Sequence, residues 1–242
     1  MIANGPPGRP PRLVLFDIDG TLVETGGAGR IAFIEVLEAM FPGDGFADAV
    51  AGVRFQGRTD PVIIDEIVVH AGRSAEFSTR GDEFWARYLT ALREILRRPG
   101  LKRRALPGVE AMLQDLAGRA GVYLGLQTGN VEAGARAKLD ALGLGRFFSE
   151  GGFASDHPDR RELVRMGRDK LARRHGMTFS AHATVVVGDT EHDVRCARAN
   201  GFRAVAVDSG WVARAELLAA RPDALLDDFT DLAAVHAALG ID

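Results

Sequence analysis

Leu13-Val14-Leu15-Phe16-Asp17-Ile18-Asp19-Gly20-Thr21-Leu22 is an apolar run of four that breaks into two carboxylates and a glycine. A short uncharged run of this kind fits a strand buried on both faces of a parallel sheet. The pattern returns at Val122-Tyr123-Leu124-Gly125-Leu126, at Thr184-Val185-Val186-Val187 and at Ala204-Val205-Ala206-Val207. Helix-spaced stripes lie between these runs. Val109, Met112, Leu113 and Leu116 follow Pro107-Gly108, Ala135, Leu139 and Leu142 stop at Gly143, and Leu163, Met166, Lys170 and Leu171 end near Gly176. Strand alternating with helix predicts an α/β protein with a doubly wound parallel sheet. Ligands of such sheets gather at the carboxyl ends of the strands, so the polar residues just after each run are the ones to read.

One interval breaks the rhythm. About a hundred residues separate the first predicted strand from the second, where a crossover needs only a dozen or more. The surplus reads as helical. Ile31, Ile34, Leu37 and Phe41 are helix-spaced, and Asp60-Pro61 resembles an N-cap followed by proline at the first helical position, opening Val62–Val69. Trp85, Tyr88, Leu89, Leu92 and Leu96 stripe a third helix, closed by Pro99-Gly100, and the two aromatics read as interior of that unit. The expected organisation is a Rossmann-like core from residues 1–24 and 103–242, with an all-helical domain, 25–102, inserted into it. The opening MIANGPPGRPPR reads as a loose tail without a signal-peptide core.

Composition bounds the function. The 242 residues carry a formal net charge of −3, which gives no electrostatic reason to expect nucleic acid. A single cysteine, Cys196, excludes an intrachain disulfide framework and any multi-cysteine metal site, and a reduced, cytoplasmic setting is the expectation. No stretch has the 18 or so apolar residues of a membrane helix. The 30 cations divide into 27 Arg and only Lys102, Lys138 and Lys170.

The strand ends carry the chemistry. Asp17 and Asp19 lie two apart, so on an extended chain their carboxylates point the same way, and a cation is needed to hold two acids side by side. Hard, oxygen-liganded Mg2+ suits that task, and Gly20 permits the sharp turn that follows. A surface acidic turn is the competing reading of this stretch. Thr128-Gly129-Asn130 ends the second run. A hydroxyl, a glycine and a helix N-terminus together suit a bound phosphate, although Thr128 as a plain N-cap accounts for the same residues. Gly188-Asp189-Thr190-Glu191-His192-Asp193 repeats the first pattern. Asp189 and Asp193 share one face of the coming helix, as metal carboxylates or as capping residues. His192 between them should point elsewhere.

The joint series DxDGTL, TGN and GDTEHD, each after a buried strand and with a helical insertion after the first, resembles the haloacid-dehalogenase-like hydrolases. It is most similar to phosphatase members of the phosphoglycolate phosphatase type, and the resemblance runs from Leu13 onward. It implies Asp17 as nucleophile and Asp19 as general acid/base. It implies Mg2+ held by Asp17, the backbone carbonyl of Asp19 and Asp189, with Asp193 supporting the ion. Thr128 and the Gly129 N–H, with Asn130, would hold the phosphoryl group. The family's bridging lysine is missing from its expected place before the helix that precedes the Asp189 strand, where the chain reads Asp156-His157-Pro158-Asp159-Arg160-Arg161. Neither Lys138 nor Lys170 sits there. Arg160 is expected to supply the cation, with Arg161 as the alternative. In the cap, Gln56-Gly57-Arg58-Thr59-Asp60 corresponds to the loop that reaches the leaving group, so Arg58 is a candidate substrate contact or else a surface arginine.

The resemblance implies Mg2+-dependent hydrolysis of a small phosphorylated metabolite; charge and composition give the expectation of no nucleic-acid or membrane partner, and the choice between monomer and homodimer stays open. A phosphomutase of the β-phosphoglucomutase type keeps every motif and is the alternative. Schiff-base phosphonatases need a cap lysine, which residues 25–101 lack, and dehalogenases lack the second acid. A receiver-like regulatory module phosphorylated on aspartate is the reading from a different class.

Overall fold

A computed structural model describes residues 11–42 and 46–241, so residues 1–10 of the predicted tail lie outside it. The chain opens with β1 (Arg12–Phe16) and β2 (Val23–Glu24). Five helices follow: α1 (Ala28–Met40), α2 (Phe46–Ala51), α3 (Asp60–His70), α4 (Ser74–Ser78) and α5 (Gly81–Ile95). β3 (Arg104–Ala105) then returns to pair antiparallel with β2. The remaining order is α6 (Val109–Gly118), β4 (Val122–Thr128), α7 (Glu132–Asp140), β5 (Gly151–Phe153), α8 (Arg160–His175), β6 (Thr184–Gly188), α9 (Glu191–Ala199), β7 (Arg203–Val207), α10 (Arg214–Ala219), β8 (Ala224–Leu226) and α11 (Leu232–Leu239).

Six strands form one parallel sheet in the order β5-β4-β1-β6-β7-β8, flanked by helices on both faces, as the sequence predicts. The apolar runs explain themselves here. Alternate side chains enter opposite layers, so a strand covered on both faces needs apolar residues throughout. Val14 and Phe16 of β1 join Val185, Val187, Val205 and Val207 against Met112, Leu113, Leu139 and Val235. Leu13 and Leu15 join Val186, Ala204 and Ala206 against Val164, Leu171, Val194 and Ala197 on the other face. The edge strands β5 and β8 went unanticipated because each is three residues long, too short for a run to stand out.

The helices between β2 and β3 build a separate apolar cluster around Phe33, Leu37, Ile64, Ile67, Phe84, Tyr88 and Leu92. Trp85 and Tyr88 belong to it, with Tyr88 fully buried 4.7 Å from the Phe33 ring. Two details correct the sequence reading. The buried face of α1 is Ala28, Ala32, Phe33, Val36, Leu37 and Met40, whereas Ile31 and Ile34 only pack against the cluster. Leu37 and Phe41 of the predicted stripe are buried, and the Phe33 ring fills the interior beside them. Asp60 is the first residue of α3 rather than its cap. Thr59 holds the cap position, which releases the Asp60 carboxylate for another task.

Candidate active site

β1 lies between β4 and β6, and these three adjacent strands deliver the site. The Asp17 N–H donates to the Val187 carbonyl at 2.9 Å, which carries the β1–β6 ladder one residue past β1 and fixes the Asp17 backbone at the end of β6, just before Asp189. The chain then folds back tightly, with the Gly20 N–H on the Val23 carbonyl and the Leu22 N–H on the Ile18 carbonyl. Gly20 has φ +79°, and a Cβ there would collide with the Asp189 carboxylate. The turn therefore needs a residue that tolerates positive φ and has no side chain.

Asp17, Asp189 and Asp193 are all buried, with carboxylate oxygens within 4.8 Å of one another. Arg160, the first residue of α8, enters this cluster from the side. Its Nη2 lies 2.8 Å from Asp17 Oδ2 and 2.6 Å from Asp193 Oδ1. Arg161 turns outward and pairs with the N-cap Asp159, with two-thirds of its side chain exposed. The helix start explains the divergence: the Asp159 carboxylate accepts the Arg161 N–H and holds the neighbouring guanidinium with it.

The electrostatics are those of crowded acids. Burial raises Asp17 to about 6; Arg160 opposes the shift and Asp193 adds to it. Burial also holds Asp189 well above the usual carboxylate range, with Asp17 and Asp193 adding to the effect and Thr21 opposing it by donating to Oδ1 at 3.1 Å. Burial disfavours the Arg160 charge, yet Asp17 and Asp193 outweigh it and raise its pKa. One guanidinium among three buried carboxylates leaves net negative charge in a small volume, which a divalent cation with oxygen ligands would relieve.

Donor counting ranks the three acids. Asp193 already accepts from Gln127 Nε2, Arg160 Nη2, the Thr190 N–H and the Thr190 hydroxyl. Those bonds make it both the N3 partner in the capping box that Thr190 opens on α9 and a brace behind the cluster. Asp17 and Asp189 are left as the acids with room to hold a cation.

Asp19 departs from expectation. The period-two argument fails because β1 ends at Phe16 and the chain turns, so the two carboxylates take different partners. The Asp19 side chain is absent from the three-acid cluster. Its Oδ2 accepts from Lys138 Nζ at 2.5 Å and from Asn130 Nδ2 at 2.8 Å. The Asn130 amide also donates to Thr128 Oγ1 at 2.8 Å, so the Thr128 hydroxyl keeps its own hydrogen to donate. Lys138, set aside in the sequence reading, is therefore a buried member of the site. The signal was present: it lies three residues after Ala135 on the apolar face of α7, where a lysine needs a partner.

The inserted helices close the site. The Asp60 N–H donates to the Gly129 carbonyl at 2.7 Å, and the Asp60 carboxylate accepts from the Val131 N–H at 2.9 Å. A Cβ on Gly129 would strike the Arg58 carbonyl, so glycine there permits the close approach of the two loops. Burial raises Asp60 to about 6, with Lys138 opposing and Asp19 adding. Arg58 lines the cavity, but its guanidinium is paired with Glu66. The His192 ring packs against Gly57 of the inserted loop, and burial lowers its pKa. The resulting cavity, about 250 Å³, has Asp17, Asp19, Thr128, Arg160 and Asp189 at one side and Phe33, Val53, Phe55 and Ile63 at the other.

Residues 14–207 match the family model of haloacid dehalogenase-like hydrolases, and the chain belongs to that family. Over 239 residues it is 31% identical to a probable phosphatase, IndB, of Dickeya dadantii, covering 94% of each protein. It is 30% identical over 225 residues to a phosphoglycolate phosphatase of Mesorhizobium japonicum, covering 91% of this chain and 92% of that one. A predicted phosphoglycolate phosphatase of Haemophilus somnus has the same fold, with a TM-score of 0.69 at 22% identity over 93% of this chain and 97% of that one. The enzyme class shared with these relatives is phosphatase. No helix among the described residues is long and apolar enough to cross a membrane.

Proposed function

We propose that the protein hydrolyses a small-metabolite phosphate monoester with Mg2+ and an aspartyl-phosphate intermediate on Asp17. The observation that carries this reading is the meeting of Asp17, Arg160 and Thr128 at the ends of adjacent elements, facing one cavity. In this account the Asp17 carboxylate attacks phosphorus and the ester P–O bond breaks. Asp19 gives a proton to the leaving oxygen, then takes one from the water that hydrolyses the acyl phosphate. The Thr128 hydroxyl and the Gly129 N–H hold phosphoryl oxygens. The Arg160 guanidinium lies beside the nucleophile, and its buried Nε, without a partner among the described residues, is a spare donor there. Mg2+, held by Asp17, the Asp19 carbonyl and Asp189 with Asp193 behind, would neutralise charge on the transferring group.

Residues 25–102 act in this reading as a cap that covers the cleft and meets the leaving group through the loop around Arg58. A reduced, cytoplasmic setting is part of this reading, in keeping with the single cysteine, Cys196, as a buried free thiol. The test is a phosphate-release screen over metabolite phosphates, phosphoglycolate among them, with product identification. Free phosphate supports the reading, and an isomeric sugar phosphate supports the mutase alternative instead.

A further inference from the structure

We propose that Lys138 is a positioning residue that fixes the orientation of the Asp19 carboxyl and so governs protonation of the leaving group; this rests on Asp19 being the acid/base of the proposed function. Lys138 stands on α7, behind the loop that carries Thr128 and Asn130, and its side chain is 7% exposed. The ammonium makes two short contacts, 2.5 Å to Asp19 Oδ2 and 2.6 Å to Asn130 Oδ1. Asn130 closes the ring by donating 2.8 Å to the same Asp19 oxygen.

This arrangement treats the two Asp19 oxygens unequally. Oδ2 is held by two strong donors, whereas Oδ1 meets, among the described residues, only the Thr25 hydroxyl at 3.5 Å. An oxygen already accepting from an ammonium and an amide is poorly placed to carry a proton as well, so the transferable proton belongs on Oδ1. In the first half-reaction Asp17 bonds to phosphorus, the ester P–O bond breaks, and the Oδ1 proton goes to the departing oxygen. Asp19 is left as a carboxylate beside the Lys138 ammonium. In the second, water attacks phosphorus, its proton returns to Oδ1, and the Asp17–phosphorus bond breaks. Lys138 exchanges no proton in either half-reaction and contributes by fixing which oxygen faces the cleft. A compact ammonium on a flexible stem fits the buried space between the two acceptors, which a larger planar guanidinium fills less well.

A merely structural lysine and a positioning lysine differ in leaving-group dependence. Phenyl phosphate and p-nitrophenyl phosphate have nearly the same shape, but phenolate needs protonation far more than nitrophenolate. The experiment measures kcat/KM for both esters, in the full-length protein with Mg2+, for wild type, Lys138→Met, Lys138→Arg and Asp19→Asn. The expected result for Lys138→Met is a loss of about 100-fold on phenyl phosphate and under about 5-fold on p-nitrophenyl phosphate, with partial recovery in Lys138→Arg on the first ester. Equal losses on both esters, or none, overturn the proposal. If Lys138→Met does not fold by circular dichroism, the Lys138→Arg ratio decides in the same way. Asp19→Asn separates the role of Asp19 from that of Lys138. Equal losses in that variant reject Asp19 as the acid, whereas a selective loss there with an even loss at Lys138 rejects only the role of Lys138.

Discussion

Arg160 Nη2 lies 2.8 Å from Asp17 Oδ2, in the place where the sequence lacks the family's usual lysine. The adjacent Arg161 points into solvent against Asp159. Replacing Arg160 with alanine is expected to lower kcat/KM for phosphate release by about 1,000-fold, while Arg161→Ala stays within about 3-fold. Arg160→Lys is expected to recover only part of the activity, because an ammonium can replace the Nη2 contacts to Asp17 and Asp193 but not the spare Nε donor. Matched losses at the two arginines would remove the assignment.

Much of this arrangement was legible beforehand, and the limits have physical causes. Strands covered on both faces need unbroken apolar runs, so β1, β4, β6 and β7 could be read directly, and the residues after the first three line the cavity. Arg160 is preferred to Arg161 because Asp159-Arg160 resembles an Asp-Arg pair, and in the structure the Asp159 cap turns the two arginines apart. Lys138 was missed because its partner Asp19 is 119 residues away and helix spacing does not reveal such contacts. The common direction assigned to Asp17 and Asp19 assumed an extended chain where a turn begins. The pairing of Arg58 with Glu66 depends on the packing of α3, which a motif does not encode.

Asp60 yields a prediction about stability and pH. Its folded-state pKa is raised to about 6, so the folded protein holds this proton more tightly than the unfolded chain does. The stabilisation from the bound proton is complete below the ordinary carboxylate pKa and is lost as pH rises through about 6. Asp60→Asn cannot ionise and keeps an oxygen to accept the Val131 N–H. Its advantage over wild type should be small near pH 4 and reach about 2–3 kcal/mol near pH 8. Thermal unfolding at both pH values checks this, and a constant gap in Tm contradicts it.

The three-acid cluster predicts that a cation stabilises the fold as well as the reaction. Mg2+ should raise Tm progressively with concentration, because it binds the folded state, where the acids are gathered. Asp189→Asn should shrink that increase. A chelator should abolish phosphate release, and added Mg2+ should restore it. Full activity in the chelator, or a Tm indifferent to Mg2+, argues against the metal site.

The central claim is that Asp17 accepts the phosphoryl group. Its most direct test is steady-state phosphate release by Asp17→Asn beside wild type, with p-nitrophenyl phosphate and Mg2+, and with circular dichroism to establish folding. The expected result is a folded variant whose turnover falls at least about 10,000-fold, to the background of the assay. A folded Asp17→Asn protein that releases phosphate at the wild-type rate would contradict it.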